Sequence, residues 1–146
     1  MAAPTHAAVP ETRRNELVPY AVAGLLGAAV VIVLGNTNVD AGEDGGLGPA
    51  LITGVGCVVL AALLFAVVLR RFSGTRTQVV LAVLTVLSLI VFWSGATPVL
   101  GAATAAAGRR TTAAGRRPSG SFTVAGWVGI AAAAIAVVWS VVAYFM

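Results

Sequence analysis

The chain has 146 residues, of which 59% are hydrophobic and only 10% are charged. Soluble domains carry about 25% charged residues, and a water-soluble fold of this composition would leave much apolar surface exposed. The composition therefore excludes an ordinary soluble domain and predicts an all-α integral membrane protein. Its nine basic residues are all arginine and lie mostly in pairs beside apolar runs. That pattern is typical of membrane topology signals and argues against a nucleic-acid partner.

The first 16 residues are polar, contain two prolines and carry charges of both signs. We interpret them as a disordered tail, followed by a single membrane domain over residues 17–146. Residues 17–34 form the first uncharged apolar run. Arg13 and Arg14 before it resemble a twin-arginine export signal, but Glu16 stands where that signal usually has a large apolar residue. Because three more apolar segments follow, we predict an uncleaved first span.

The next two segments carry opposite topology signals. The loop at residues 35–48 holds three of the five acidic residues and no basic residue, which indicates a non-cytoplasmic loop. The second predicted span, residues 49–69, is followed by Arg70, Arg71 and Arg76 without an acid among them. This short loop carries the clearest cytoplasmic signal in the chain.

Residues 78–107 contain thirty positions without a charge, too many for one simple span and too few for two. We divide them into a third span at residues 78–94 and a short helix at residues 98–107. Thr97 suits the N-cap of that helix and Pro98 its first position. The alternative is one long helix bent at Pro98.

The predicted short helix ends at Gly108, a residue type that commonly closes helices. Ten residues rise about 15 Å, roughly half the thickness of the hydrocarbon core. Such a helix cannot cross alone, so we expect it to lie at the interface, to re-enter the membrane or to stand in water. The fold class that results is a four-transmembrane-helix bundle with a short extra helix after span three.

A final span is predicted at residues 122–145. Four crossings with the N-terminus in the cytoplasm place the last arginines on the outer side: Arg109, Arg110, Arg116 and Arg117. In that arrangement they are candidates for contact with lipid headgroups or an acidic partner surface. If residues 98–107 instead re-entered from the other side through a thinned region, all nine arginines could be cytoplasmic, although the length of the helix argues against that crossing.

Small residues spaced four apart let helix backbones approach closely. Such spacings occur in the first, second and last spans, and the candidates for helix packing are Gly24, Gly27, Gly54 and Gly129. We expect these faces to assemble the bundle. Self-association into a homo-oligomer, or assembly into a larger membrane complex, is a further hypothesis.

The four apolar segments contain no Asp, Glu, Lys, Arg or His. Ionisable residues within spans usually mark proton relays and ion pathways, so their absence argues against a proton-coupled pump. We predict no catalytic, cofactor-binding or metal-binding site, and a non-enzymatic, accessory or structural role through helix packing and contact with lipid or a partner. The alternative is a small oligomeric transporter or channel with a polar path formed by Thr53, Thr85, Ser88 and Ser140.

Three short motifs bear on the family. Gly48-Pro49 opens the second span, Leu-Arg-Arg-Phe at residues 69–72 closes it, and Leu-Ser-Leu at residues 87–89 lies in the third. Over about residues 17–107 the chain resembles short actinobacterial four-helix integral membrane proteins of unknown function. The resemblance implies a multi-pass protein of a bacterial plasma membrane and no particular activity.

Overall fold

A computed structural model of the chain describes residues 16–37, 47–72, 75–114 and 123–146. The predicted tail lies outside the described residues except for Glu16. Within the described ranges the structure is helical and contains no strand. We number the α-helices in chain order: α1 Val18–Thr37, α2 Leu47–Ala62, α3 Thr75–Ser88, α4 Ala96–Ala114 and α5 Val124–Phe145. Helix α2 continues through a π-helical segment, Leu63–Val68, to a last turn at Leu69–Arg71, and α3 continues as a 3₁₀ segment, Leu89–Ser94.

Three helical stretches are long and apolar enough to cross a membrane: Val18–Asn36, Leu47–Arg71 and Val124–Phe145. They correspond to the first, second and last predicted spans, which confirms three apolar membrane-length helices. The third predicted span corresponds to a shorter apolar helix, Thr75–Val91.

The helical conformation is interrupted between α3 and α4 at Gly95, which has a φ of +70°. This left-handed conformation is open to glycine and strained for most other residues. A Cβ atom at Gly95 would also lie 3.1 Å from Cγ1 of Ile32 and 3.3 Å from the carbonyl oxygen of Ala28. The prediction that two helical segments meet just after residue 94 is therefore confirmed. The alternative of one helix bent at Pro98 is wrong, because the break lies three residues earlier.

Helix α4 differs from the predicted short helix in length and in surroundings. It spans Ala96–Ala114, 19 residues, or about 28 Å of rise, against the ten residues predicted. Helices α1, α3 and α5 all pack against it, α5 most extensively. Thr97, Val99 and Ala103 are 0% exposed. The expectation of a helix at the interface or in water is wrong, because α4 lies at the centre of the bundle.

Thr97 was predicted as the N-cap of this helix, and that prediction is also wrong. Thr97 lies inside α4, and its hydroxyl donates to the backbone carbonyl of Ser88 at 3.0 Å. Close to the helix start, the N–H of Ala96 donates to the Ser94 hydroxyl at 3.3 Å. Pro98 falls in the first turn of α4, where its missing N–H leaves no helical hydrogen bond unmade.

The direction of α4 follows from contacts at its C-terminal end. Arg109 donates through Nη1 to the hydroxyl of Tyr20, near the start of α1, at 3.1 Å. Gly108 packs against Gln78, near the start of α3, and against Thr123, just before α5. The amide of Gln78 donates to the Thr123 hydroxyl. The start of α1, α3 and α5 and the end of α4 therefore lie at one end of the bundle.

The end of α2 joins this group, because only three residues separate Arg71 from the start of α3. We call this end of the bundle the arginine end. Its described arginine side chains, Arg70, Arg71, Arg76 and Arg109, are all exposed. Arg109 thus shares an end with Arg70, Arg71 and Arg76, and the four-crossing prediction that separated them is wrong. The arrangement matches the alternative in which the chain turns back after residue 94.

Candidate functional site

Two pairs of hydroxyl groups join α3 to α4 inside the bundle. Thr85 Oγ1 lies 3.0 Å from Thr104 Oγ1, and Ser88 Oγ donates to Thr97 Oγ1 at 3.0 Å. All four side chains are buried. Hydrogen bonds between helices of this kind contribute about 0.6–2 kcal/mol each in membrane proteins. These pairs therefore hold the two helices of the α3–α4 hairpin together.

The two hydroxyl groups of the Thr85–Thr104 pair have more hydrogen-bond acceptors within reach than they have protons to donate. The Thr85 hydroxyl also donates to the carbonyl of Leu81 at 2.7 Å, and the Thr104 hydroxyl donates to the carbonyl of Leu100 at 2.8 Å. A hydroxyl carries one proton. The direct Thr85–Thr104 bond therefore forms when one of the two hydroxyls donates to the other instead of to the backbone carbonyl of its own helix. Both arrangements leave each oxygen partnered. Among the described residues, no buried side-chain nitrogen or oxygen lacks a hydrogen-bond partner.

The predicted polar path is not assembled in the structure. Thr53 donates to the carbonyl of Pro49 and Ser140 to the carbonyl of Ala136, each within its own helix. Only Thr85 and Ser88 face another helix, where they meet Thr104 and Thr97. Sequence reasoning missed these two α4 partners, although their seven-residue separation places them on one helix face.

Three of the four predicted packing glycines lie against α4. A Cβ atom at Gly24 would be 3.0 Å from Cβ of Ala102, and one at Gly27 would be 2.9 Å from Cβ of Pro98. At Gly129 it would be 2.7 Å from Cβ of Thr104. Gly54 differs, since a Cβ atom there would meet nothing within 4 Å among the described residues. The structure thus brings Gly24, Gly27 and Gly129 together around one helix and leaves Gly54 apart.

Helices α4 and α5 approach each other closely where Gly101 of α4 faces Gly129 of α5. A Cβ atom at Gly101 would lie 2.5 Å from the carbonyl oxygen of Gly129, and one at Gly129 would lie 2.8 Å from the carbonyl oxygen of Gly101. Real Cβ atoms essentially never approach other atoms this closely, so each helix backbone occupies the space of the other's side chain. Gly101 was not among the predicted packing residues.

The predicted contact arginines fall into three groups. Arg109 is exposed at the arginine end and donates to Tyr20. The hydrogen bond with Tyr20 raises the pKa of Arg109, and the negative charge of Glu16 acts in the same direction. Arg110 lies in the last turns of α4. Arg116 and Arg117 lie outside the described residues.

No family model, curated protein or solved structure matches the chain. The resemblance to short actinobacterial membrane proteins therefore stays a prediction. Self-association through a small-residue face also stays a prediction.

Proposed function

We propose that the chain is a multi-pass, non-enzymatic protein of a bacterial plasma membrane, with an accessory or structural role. Three of its helices are long and apolar enough to cross a membrane. Large apolar side chains on their outward faces are exposed, including Leu51 at 64%, Ile52 at 76% and Trp139 at 55%. Large apolar side chains exposed along whole helices mark a surface that is covered by lipid or by a partner.

Its proposed orientation places the arginine end and the N-terminus in the cytoplasm. The α3–α4 hairpin starts at the arginine end, turns at Gly95 and returns, so the segment between α4 and α5 starts from the same side. All nine arginines then lie on the cytoplasmic side, while the loop with three of the five acids lies on the other. This separation agrees with the positive-inside rule much better than the five-to-four division expected from four crossings.

The observation that carries the structural role is the complete pairing of the buried hydroxyls. Thr85, Ser88, Thr97 and Thr104 bond to one another and to backbone carbonyls, which uses their polarity for helix packing. The helices that the structure describes contain no Asp, Glu, Lys or His, the residues other than arginine that usually mark proton and ion pathways in membranes. Packing and surface contact are therefore the best-supported means of action.

The experiment that tests this role is a flux measurement. Purified protein in liposomes is expected to carry no Na⁺, K⁺, Cl⁻ or proton flux above that of protein-free liposomes, because the buried polar groups are already partnered. The Thr85→Val/Thr104→Val double variant serves as the matched control and is expected to give the same baseline.

The second hypothesis, an oligomeric transporter or channel, is favoured by one observation, the line of buried hydroxyls between α3 and α4. It predicts flux in the unsubstituted protein and loss of that flux in the double variant. Such a result would contradict the structural role.

A further inference from the structure

A polar contact between two helices stands out at the arginine end. Arg109 near the end of α4 donates to the hydroxyl of Tyr20 near the start of α1, although 89 positions separate them in the chain. Arg109 is exposed, and Tyr20 is half-buried. Tyr20 lies in the first turn of a membrane-length helix. Tyrosine near the end of such a helix favours the boundary between lipid and water.

The chemistry of this pair suits an anionic oxygen. A phenol that accepts a hydrogen bond from arginine keeps its own proton to donate, and a guanidinium has five N–H groups. Tyrosine and arginine held together therefore place several donor groups at one position. Phosphate oxygens accept such donors well, and arginine binds them with a planar, two-pronged geometry.

Charged residues at the arginine end act on an anionic ligand in both directions. Arg76 stands two residues before Gln78, which packs against Gly108, the neighbour of Arg109 in the chain. Positive charge at the cytoplasmic surface attracts anionic lipids. Glu16 is the acidic residue whose charge acts on Arg109, and it opposes an anionic ligand at this position.

We propose that Tyr20 and Arg109 form a binding site for the headgroup phosphate of an anionic phospholipid in the cytoplasmic leaflet. This inference rests on the proposed function, because it requires the arginine end to lie at that leaflet. The bound phosphate accepts from the Arg109 guanidinium and from the Tyr20 hydroxyl. The lipid then joins the start of α1 to the end of α4 and stabilises the bundle.

The test is a thermal-unfolding titration of the full chain in a neutral detergent with added phosphatidylglycerol. Phosphatidylglycerol is expected to raise the unfolding midpoint more than phosphatidylcholine does. Arg109→Gln and Tyr20→Phe are expected to raise the half-effect concentration of phosphatidylglycerol about 10-fold, the loss typical of one charged hydrogen bond. Glu16→Gln is expected to lower that concentration.

Arg71→Gln is the matched control, since it removes one exposed positive charge from the same end without touching the pair. It is expected to leave the half-effect concentration within about 2-fold of the unsubstituted value, since the loss of one exposed charge changes free energies only slightly. An equal weakening in Arg71→Gln and Arg109→Gln would overturn the proposal in favour of general charge attraction. An equal midpoint increase with inorganic phosphate or an acidic peptide would overturn the lipid as the ligand.

The proposed function and this inference fail in different ways. Ion flux through proteoliposomes contradicts the structural role and leaves the phosphatidylglycerol titration unchanged. A titration that Arg109→Gln and Tyr20→Phe do not alter contradicts the lipid site alone. If Arg109→Gln unfolds before titration, it is replaced by Arg109→Lys, which keeps the charge and loses the planar geometry. Arg109→Lys is expected to raise the half-effect concentration above that of the unsubstituted protein, and an unchanged concentration would contradict the site.

Discussion

Gly101→Ala and Gly129→Ala are each expected to destabilise the bundle by about 2 kcal/mol, within the range for overpacked interiors. An added methyl group at Gly101 meets the carbonyl oxygen of Gly129 at 2.5 Å and Cβ of Ala133 at 2.8 Å. Neither neighbour is a flexible side-chain end, so α4 and α5 must separate. The measurement is the thermal-unfolding midpoint in detergent, followed by tryptophan fluorescence.

Gly54→Ala in α2 is the matched control for these two variants. Its new methyl group meets nothing within 4 Å among the described residues. Alanine is favoured over glycine in a helix by roughly 0.5–1 kcal/mol, so this variant is expected to keep or raise the midpoint. A lower midpoint for Gly101→Ala together with an unchanged or higher midpoint for Gly54→Ala would support the close packing around α4. Equal decreases in the midpoint of both variants would contradict a particularly close contact between α4 and α5.

The second large effect is expected at the turn between α3 and α4. Gly95→Ala places a side chain at φ +70°, which costs roughly 1–2 kcal/mol for an ordinary L-residue. The new methyl group also lies 3.1 Å from Cγ1 of Ile32 and 3.3 Å from the carbonyl oxygen of Ala28. We expect a lower unfolding midpoint and faster protease cleavage between the two helices.

Gly35→Ala, in the last turns of α1, is the control for the turn. It meets nothing within 4 Å among the described residues and is expected to leave both measurements near their original values. Gly95→Asn separates strain from crowding, since asparagine enters the left-handed region more readily than alanine. A Gly95→Ala variant as stable as Gly35→Ala would contradict the tight turn and the hairpin with it.

The sequence was sufficient for the three apolar helices and for the break after residue 94. Long uncharged runs have few alternatives to a membrane-length helix, and Gly95 followed by Pro98 interrupts the pattern of residues 78–107. These features are local, so they are readable without knowing the neighbours of each helix. The same signals could not show where α4 lies in the bundle.

Gly108 and Thr97 show why the sequence does not reveal the length and position of α4. The sequence predicts a helix end at Gly108, yet this residue lies inside α4, where a Cβ atom would be 2.8 Å from Nε2 of Gln78. The sequence predicts a cap at Thr97, yet its hydroxyl pairs with Ser88. Glycine and threonine can each end or cap a helix, or they can contact another helix. Their position in the sequence alone does not distinguish these two roles. A small-residue spacing such as the one at Gly54 likewise does not reveal which helix face meets a neighbour.

We propose that the chain turns back after residue 94 and that the segment after α4 returns to the cytoplasm. The test places single cysteines at Ala41, Ser73 and Thr112 in a background where the one cysteine of the sequence, Cys57, is replaced by alanine, and labels intact cells with a membrane-impermeant thiol reagent. We predict labelling at position 41 without permeabilisation, and at positions 73 and 112 only after permeabilisation. Labelling at position 112 in intact cells, together with position 41, would contradict it.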